Sequence, residues 1–311
     1  MAPAETSGAS GFRLTAPAKL NLYLHVTGRR DDGYYRLDSL IVFTALGDVL
    51  EVAPAEDLSL AITGRFAAVL GDAADNLVMR AARLLSLEAG LPAHRGAAIR
   101  LEKRLPVAAG LGGGSADAAA ALHGLCALWN VSPGDDDLAR MAISLGADVP
   151  VCLSPRPAFV GGIGEILDPA PALPVLHVAL VNPGVSLSTA SVFANLEINP
   201  TERHGRFAEA PRDAAVLAGL LASRANDLDP PARRLCPAVV EVLSALGRQA
   251  DCLLARMSGS GATCFGLFDS AAAAAAAARH IADRQPAWWA VSSPLIGDSD
   301  KVEISPIPAY M

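Results

Sequence analysis

Apolar and polar residues alternate along several stretches of the first third of the chain, which is the pattern of half-buried β-strands. Within residues 12–28, the apolar side chains at positions 20, 22, 24 and 26 fall on one face. The stretches LDSLIVFTAL, DVLEVAPA, LSLAITG and AAIRLEKRL predict further strands, and DDGY at residues 31–34 predicts a turn. Between residues 75 and 90 the apolar spacing becomes helical, and a glycine follows the last turn.

The remainder of the chain again predicts both strands and helices. DDDLARMAISLG predicts a helix, and LHVALVNPG predicts a buried strand. ASRANDLDPPARRLCPAVVEVLSALGRQ predicts two short helices that are broken at Pro230 and Pro231. LLARMSGSGATCFGLF predicts a strand, a glycine loop and a second strand. The alanine run at residues 271–278 predicts a helix, because alanine has the highest helix propensity.

Breaks in these patterns divide the chain. The first 11 residues have no periodicity and are predicted to form a flexible tail. The proline-rich stretch LDPAPALPV, at residues 167–175, is the predicted boundary between an N-terminal domain of residues 12–166 and a C-terminal domain of residues 167–311.

Composition and charge exclude several classes of protein. Hydrophobic residues make up 52% of the 311 residues, which excludes wholesale disorder. The net charge of -7 argues against a general nucleic-acid or anionic-membrane binder, and no apolar run approaches the length of about 18 residues that a spanning helix needs. Five scattered cysteines, with no secretory or transit signal at the start, indicate a cytoplasmic protein. The histidine spacing matches no common metal motif.

The stretch LPVAAGLGGGSADAAAAL, at residues 105–122, lies at a predicted strand–loop–helix junction. Its glycines allow positive φ angles and let backbone N–H groups approach a ligand, and Ser115 is predicted to cap the helix or lie in its first turn. Such a helix start favours an anion such as a di- or triphosphate. A P-loop is excluded because no lysine follows the glycines, whereas a dinucleotide site is disfavoured because Asp117 stands where glycine or alanine belongs. A simple glycine-rich turn remains an alternative.

Two polar residues outside the loop are candidates for chemistry. Asp148 precedes Val149 and Pro150, so the chain is expected to be extended there. Taken alone, Asp148 could equally be a turn residue that caps its own backbone, and Lys19 could be a solvated residue of an edge strand.

The glycine stretch resembles the phosphate-binding motif of the GHMP kinases, a family that includes galactokinase, homoserine kinase and mevalonate kinase. The positions that match its consensus are Pro106, Gly110, Leu111, Gly112, Ser115 and Ala116, and Gly113 and Gly114 replace the usual small pair. APAKLNLYLHVTGRRDDGYYRLDSL and MSGSGATCFGLF resemble the family's first and third motifs and occur in the same order. The resemblance implies an α+β, two-domain GHMP kinase fold with a left-handed βαβ crossover in the N-terminal domain and a ferredoxin-like C-terminal domain.

Within the family, the chain is most similar to the kinases whose acceptor is a cytidine diphosphate-linked methylerythritol. EKRLPVAAGLGGGSADAA, GADVPVCL, GGIGE and NPGVSLSTASVF carry this closer resemblance, which extends from residue 14 to about residue 268. There are two departures. Tyr35 stands where the family usually has histidine, and the ending ISPIPAYM is atypical.

The resemblance implies that Asp148 is the catalytic base and also contacts the acceptor hydroxyl, and that Lys19 lies beside it and compensates charge. ATP and Mg²⁺ are the implied cofactors, with the Mg²⁺ ligands unknown. The implied ATP-binding residues are Asn76, Lys103, Pro106, Gly110, Leu111, Gly112, Gly113, Gly114, Ser115, Ala116 and Asp117. Asn76 could equally begin a helix.

The implied contacts with the small-molecule substrate come from the first strand, the DDGY turn and the NPGVSLSTASVF segment. Tyr34 and Phe193 would stack on the pyrimidine, and Tyr35 would bind it through its backbone. Asn21 and Thr189 would contact the sugar or diphosphate. For Phe193, ordinary core packing is an equal alternative. Another GHMP kinase, of the homoserine or mevalonate type, is the nearest competing function; a nicotinamide-dependent oxidoreductase and a catalytically silent binding homologue are the others.

Overall fold

The computed structural model describes residues 9–70, 75–92, 94–197, 205–297 and 304–308. The strands in this part of the chain are β1 (Ala9–Arg29), β2 (Tyr35–Ala55), β3 (Leu58–Thr63), β4 (Gly96–Glu102), β5 (Ala158–Gly162), β6 (Ile166–Pro169), β7 (His177–Asn182), β8 (Leu254–Met257), β9 (Cys264–Phe268), β10 (Trp289–Pro294) and β11 (Ile304–Pro308). The α-helices are α1 (Leu77–Glu88), α2 (Gly113–Trp129), α3 (Asp135–Leu145), α4 (Val149–Leu153), α5 (Thr189–Ala194), α6 (Ala214–Ala222), α7 (Asp229–Leu235), α8 (Ala238–Gly247) and α9 (Ala271–Arg284).

A seven-stranded sheet contains the first six strands and the last. Its order is β11-β1-β2-β4-β3, with β5 paired to β2 and β6 paired to β5. Strands β3 and β4 are parallel, and α1 lies in the connection between them, so this is the βαβ unit that the resemblance implies. LDSLIVFTAL and DVLEVAPA, which were predicted as separate strands, are parts of the single long strand β2.

The predicted flexible tail of residues 1–11 is wrong for its last three residues. Residues 9–11, expected to belong to a flexible tail, are the start of β1 and pair with β11. Part of the atypical ending is therefore a strand of the first sheet.

A second, four-stranded antiparallel sheet has the order β10-β7-β9-β8. Helices α5 to α8 lie between β7 and β8 in the chain, and α9 lies between β9 and β10. This order of strands and helices is the ferredoxin-like arrangement, so the fold is α+β as expected. Strands β6 and β11 pair in the first sheet although they lie at or beyond the predicted boundary. The division at residues 166 and 167 stays a prediction.

Helix α2 packs closely against the first sheet because its residues are small. Ala118, Ala121 and Leu122 are fully buried, and a Cβ added at Gly124 would lie 2.9 Å from the side chain of Leu14 on β1. Each fully buried leucine of this kind contributes about 1.5–3 kcal/mol through the hydrophobic effect. The packing fixes the position of the N-terminus of α2, and hence of the glycine loop that precedes it.

Two local predictions about proline are wrong. Pro230 and Pro231 do not break a helix: they lie in the first turn of α7, where a missing N–H costs nothing. The chain at Asp148 is not extended but has αR angles, and Asp148 is the N-cap of the short helix α4. Pro150 lies in the first turn of α4, so the same tolerance for proline at a helix start outweighs its effect on the preceding residue.

Among the described residues, no helix combines the length and the apolar character needed to cross a bilayer.

Candidate active site

In the glycine loop between β4 and α2, two glycines lie so close to neighbouring residues that a side chain at either position would make a close contact. Gly110 and Gly112 have φ angles of 75° and 63°. A Cβ at Gly110 would lie 2.2 Å from the carbonyl oxygen of Ser258, and one at Gly112 would lie 3.2 Å from the Lys19 side chain. Helix α2 begins at Gly113, so Ser115 lies in its first turn rather than at its N-cap. The free N–H groups of this helix start make the loop suited to an anion.

The three motifs that were identified in the sequence meet at this loop. The amide of Lys19 on β1 donates to the carbonyl of Leu111 over 2.8 Å. The Ser258 hydroxyl, in the loop between β8 and β9, donates to the carbonyl of Gly110 over 2.9 Å and accepts from the amide of Asn21 over 3.3 Å. The two glycine loops and the first strand are therefore held together by backbone and hydroxyl hydrogen bonds.

Lys19 and Asp148 form an ion pair, with Nζ and Oδ2 3.0 Å apart. The lysine side chain is only 7% exposed, whereas the aspartate side chain is 44% exposed. Strand β1 supplies the lysine, and the turn between α3 and α4 supplies the aspartate. The fold thus unites two residues that are far apart in the chain and leaves the carboxylate accessible.

A cavity of about 970 Å³ joins this ion pair to the glycine loop. The predicted site residues that line it are Lys19, Asn21, Tyr34, Tyr35, Asn76, Lys103, Pro106, Gly110, Leu111, Gly112, Gly113, Gly114, Ser115, Asp117, Asp148, Thr189 and Phe193. Ala116 does not line the cavity, because it is buried in the first turn of α2. The individual roles of these residues stay predictions.

Lys103 and Asp117 belong to a buried charged cluster that also contains Asp48. The Lys103 ammonium contacts Oδ2 of Asp48, and it contacts Oδ2 of Asp117 over 2.7 Å. Burial would lower the pKa of Lys103, but the two carboxylates outweigh it and raise that pKa. Burial raises the pKa of Asp117 to about 8, with Lys103 opposing the change and Asp48 adding to it.

Asparagine and hydroxyl groups complete the cavity wall. Asn76 is the N-cap of α1, and its side chain accepts from the amide of Val78. This position at the start of a helix was the alternative that the sequence left open beside an ATP contact. The amide group of Asn21 donates to Ser39, but its buried Oδ1 has no hydrogen-bond partner among the described residues. The hydroxyls of Thr189 and Ser260 lie 2.8 Å apart.

Two of the three aromatic residues predicted to bind the pyrimidine stack on each other in the cavity wall. Tyr34 is 61% exposed, and the ring that stacks on Phe193 is that of Tyr35, with centroids 5.1 Å apart and an angle of 22° between the planes. The Tyr35 hydroxyl also donates to the carbonyl of Phe193 over 3.3 Å, and the Arg29 guanidinium lies over its ring. Tyr35 therefore has a side-chain role here besides its predicted backbone role.

Sequence reasoning missed Asp48, Ser258, Ser260 and Asn226. The Asn226 side chain donates to the carbonyls of Met257 and Gly259 and so holds the second glycine loop. One feature of the sequence could have identified Asp48: it is a charged residue between two apolar stretches, which together form the single strand β2. Ser258 and Ser260 were visible only as members of a glycine-rich motif.

No group of three or more histidine, cysteine or acidic side chains is placed to hold a metal ion within the described ranges. The five cysteines are free. A second cavity, of about 940 Å³, lies between α8 and α9 and contains none of the predicted site residues.

Two family models match the chain, one in its first half and one in its second half. Residues 76–156 match the GHMP kinases N terminal domain, and residues 207–286 match the GHMP kinases C terminal domain. A homoserine kinase structure from Cytophaga hutchinsonii is similar in fold, with a TM-score of 0.69 at 18% identity over 98% of this chain and 100% of that one.

Closer relatives share one name. The 4-diphosphocytidyl-2-C-methyl-D-erythritol kinase of Paramagnetospirillum magneticum is 54% identical over 92% of this chain and 99% of its own length. The enzyme of the same name from Parvibaculum lavamentivorans is 51% identical over 88% of this chain and 94% of its own. A crystal structure of 4-(cytidine 5'-diphospho)-2C-methyl-D-erythritol kinase is 36% identical, with a TM-score of 0.72, and covers 91% of this chain and 98% of that one. The chain belongs to the 4-diphosphocytidyl-2-C-methyl-D-erythritol kinases, a family of GHMP kinases.

Proposed function

We propose that the chain transfers a phosphoryl group from ATP to the 2-hydroxyl of 4-diphosphocytidyl-2-C-methyl-D-erythritol, giving the 2-phosphate and ADP in the non-mevalonate isoprenoid pathway. The observation that carries this proposal is the Lys19–Asp148 ion pair, 3.0 Å long, in the wall of the cavity that the glycine loop also lines. The relatives' shared name supports the choice of acceptor over homoserine or mevalonate.

The glycine loop suits the phosphates of ATP for two reasons. Gly110 has no room for a Cβ, Gly112 has only a tight space for one, and both have positive φ angles, so the backbone itself faces the cavity. The start of α2 adds unpaired N–H groups and partial positive charge. The N–H groups at residues 112–115 would hold the phosphates, with Asn76 and Pro106 in the surrounding wall. ATP supplies the phosphoryl group, whose bond to the ADP oxygen breaks as the bond to the acceptor oxygen forms.

Asp148 is the proposed base. Its carboxylate is the more exposed member of the ion pair, so an acceptor hydroxyl can reach it and give up its proton to it. Lys19 keeps the carboxylate oriented and places a positive charge beside the acceptor oxygen. Because Lys19 also packs against Gly112, the same side chain sets the distance between the base and the phosphate loop.

The nucleoside end of the substrate is assigned to the other end of the cavity. Tyr34, Tyr35 and Phe193 offer aromatic surface for a pyrimidine. Asn21 and Thr189 are assigned to the sugar or diphosphate; the unpartnered Oδ1 of Asn21 needs a donor, and a substrate hydroxyl would provide one.

Mg²⁺ is proposed to enter with the nucleotide. It usually keeps several waters and binds through substrate phosphates with one or two protein ligands, so it needs no preformed cluster. The remaining proposals are a cytoplasmic location, consistent with the five free thiols, and the absence of nucleic-acid partners, consistent with the net charge.

The test is ADP formation measured with ATP alone and with each of three alcohols: 4-diphosphocytidyl-2-C-methyl-D-erythritol, homoserine and mevalonate. We expect kcat/KM to be at least about 100-fold higher for the cytidine-linked alcohol, since the other two lack the groups that the aromatic end would bind. Equal or faster turnover of homoserine or mevalonate would reject the proposal. A nicotinamide cofactor should give no binding signal in a parallel titration.

A further inference from the structure

The cluster of Asp48, Lys103 and Asp117 lies at the base of the glycine loop. Lys103 immediately follows β4, where the chain enters the loop, and Asp117 is the fifth residue of α2, one turn past the point where the chain leaves the loop. Their side chains are 2.7 Å apart, and this contact joins the two ends of the loop across residues 104–116. All three side chains are less than 5% exposed.

Asp48, on strand β2, also contacts the start of the glycine loop. It lies on β2, and its Oδ1 accepts from the amides of Arg104 and Leu105 over 2.6 and 2.9 Å. Its Oδ2 contacts the Lys103 ammonium. One carboxylate thus fixes both the backbone that enters the loop and the lysine that closes it.

The cluster lies directly under the residue that begins α2. A Cβ at Gly113 would lie 3.5 Å from both Asp48 Oδ2 and Lys103 Nζ. The backbone of Lys103 is fixed as well, because its amide donates to the carbonyl of Thr63 over 2.7 Å. A shift of any of the three charged side chains would therefore move the start of α2, where the N–H groups face the cavity.

The charges of the cluster also suit a site for a polyanion. The Lys103 ammonium already contacts the side chains of Asp48 and Asp117, so its charge is compensated before any ligand binds. The raised pKa of Asp117, caused first by burial, favours its neutral form at neutral pH. One carboxylate, one ammonium and one neutral acid sum to no net charge, so the cluster does not repel phosphates.

We infer that Asp48, Lys103 and Asp117 form a buried clamp that closes the base of the glycine loop, and that they act as positioning residues for ATP rather than as its ligands. This inference rests on the proposed use of ATP and changes the predicted role of Lys103 and Asp117 from direct contact to support.

A double-mutant cycle distinguishes a clamp from a phosphate ligand. For Asp117→Ala and for Lys103→Met we expect the Kd for ATP and the KM for ATP to rise about tenfold each, with kcat changed less than about threefold. The double variant should be no weaker than either single variant, because each change opens the same clamp. Asp117→Asn keeps an oxygen that can accept from Lys103, so it should restore binding to within about threefold of the wild type.

One control and one replacement variant accompany the cycle. Asp137→Asn removes an exposed carboxylate that pairs with Arg140 and should leave the Kd for ATP unchanged. If Asp117→Ala does not fold, Asp48→Ala replaces it with the same expectation. The clamp would be overturned if Lys103→Met weakened ATP binding while Asp117→Ala or Asp48→Ala left it unchanged or tightened it, since a freed ammonium would then be acting on the phosphates.

Hydrogen exchange of the protein without nucleotide separates this inference from the proposed function. Opening the clamp should raise the exchange of amides at residues 109–116 at least about tenfold while those of α9 stay as in the wild type. Unchanged loop exchange would reject the clamp even if the protein binds ATP. If the variants show raised loop exchange but the wild type binds no ATP, the clamp stands and the proposed function alone is rejected.

Discussion

The two members of the Lys19–Asp148 pair differ in exposure, and this difference assigns their proposed roles. Lys19 is nearly buried and also packs against the glycine loop, whereas almost half of the Asp148 side chain faces solvent and the cavity. A base must reach the proton that it removes, and a positively charged neighbour needs only to stay in place. The accessible carboxylate is therefore the group to change first.

Replacing Asp148 by asparagine should lower kcat about 100- to 10,000-fold, because an amide cannot accept the hydroxyl proton. The KM for ATP should change less than about threefold, since Asp148 is not in the glycine loop. Steady-state ADP formation measures both constants. Asp137→Asn is the matched control, because it removes an exposed carboxylate of another ion pair. Near-wild-type kcat in Asp148→Asn, with substrate binding intact, would contradict the assignment.

The raised pKa of Asp117 predicts a pH dependence of stability. The folded protein holds the Asp117 proton up to a pKa of about 8, whereas an unfolded chain releases it near the ordinary value of 3.8. The contribution of this group is therefore complete below about pH 4 and declines as the pH rises to about 8. Asp48, Lys103 and the buried thiol of Cys152 are the titratable groups that interact with it.

Asp117→Asn removes this titration. The difference in free energy of unfolding, variant minus wild type, should rise steadily between pH 4 and pH 8, and urea unfolding at four or five pH values measures it. A difference that stays constant, or one that falls, would show that Asp117 is ionised throughout this range in the folded protein.

The sequence indicated residues that carry a recognisable motif and missed those that act through distant partners. Lys19 and Asp148 were identified by resemblance. Asp48 was not, because Lys103, the partner that gives it a role, is 55 residues away and only the folded sheet brings them together. The stack of Tyr35 on Phe193 was missed for the same reason.

The glycine loop contains several residues with a positive φ angle, and Gly112 is the one from which the helix starts. Gly112 is the N-cap of α2, with a φ angle of 63°, and it lies against the Lys19 side chain. An alanine there would be strained in backbone and would press on Lys19. The loop, its helix and the Lys19 side chain would shift together.

Gly112→Ala should raise the KM for ATP about tenfold or more and also lower kcat, because both the phosphate cradle and Lys19 move. Gly219→Ala in α6 is the control: a Cβ there meets nothing within 4 Å, and alanine favours the helix by up to about 1 kcal/mol. Steady-state kinetics and thermal unfolding compare the two variants. Unchanged kinetics in Gly112→Ala would mean that the loop does not need this conformation.

Elements with regular apolar spacing were predicted well, and elements set by their context were not. The helical spacing identified α1, and the alternation around MSGSGATC identified β8, its glycine loop and β9. The prolines of α7 were misread because a first-turn proline and a helix-breaking proline look the same in sequence. Strand β2 was divided in two at Gly47, which interrupts the apolar pattern, whereas in the structure this glycine lies within the strand and a Cβ there would clash with the carbonyl of Ala16 on β1.

In the whole molecule, one arginine ties the second sheet to the first. Arg256 lies on β8, and its guanidinium donates to the carbonyls of Leu22 on β1, Leu221 on α6 and Arg224. Burial lowers its pKa to about 10, so the group remains charged at neutral pH. These bonds lie one residue from Asn21 and two from Ser258, so they also fix the meeting point of the first and third motifs.

Arg256→Met should lower the free energy of unfolding by about 3 kcal/mol, because three carbonyl oxygens lose their charged donor. Arg248→Met is the control. Arg248 is exposed at the end of α8, so this substitution should change the free energy of unfolding by less than about 0.5 kcal/mol. Urea unfolding followed by circular dichroism gives both values. Equal midpoints for the two variants would show that the arginine does not join the sheets energetically.

The most direct test of the whole account is ³¹P NMR of a reaction containing the protein, ATP, Mg²⁺ and 4-diphosphocytidyl-2-C-methyl-D-erythritol. The account predicts that ATP signals give way to those of ADP, that one new phosphomonoester on the tertiary 2-oxygen appears in equal amount, and that the diphosphate of the acceptor stays intact. Asp148→Asn should give the same product far more slowly. ATP consumption that does not depend on the acceptor, or a phosphoester at another oxygen, would contradict the account.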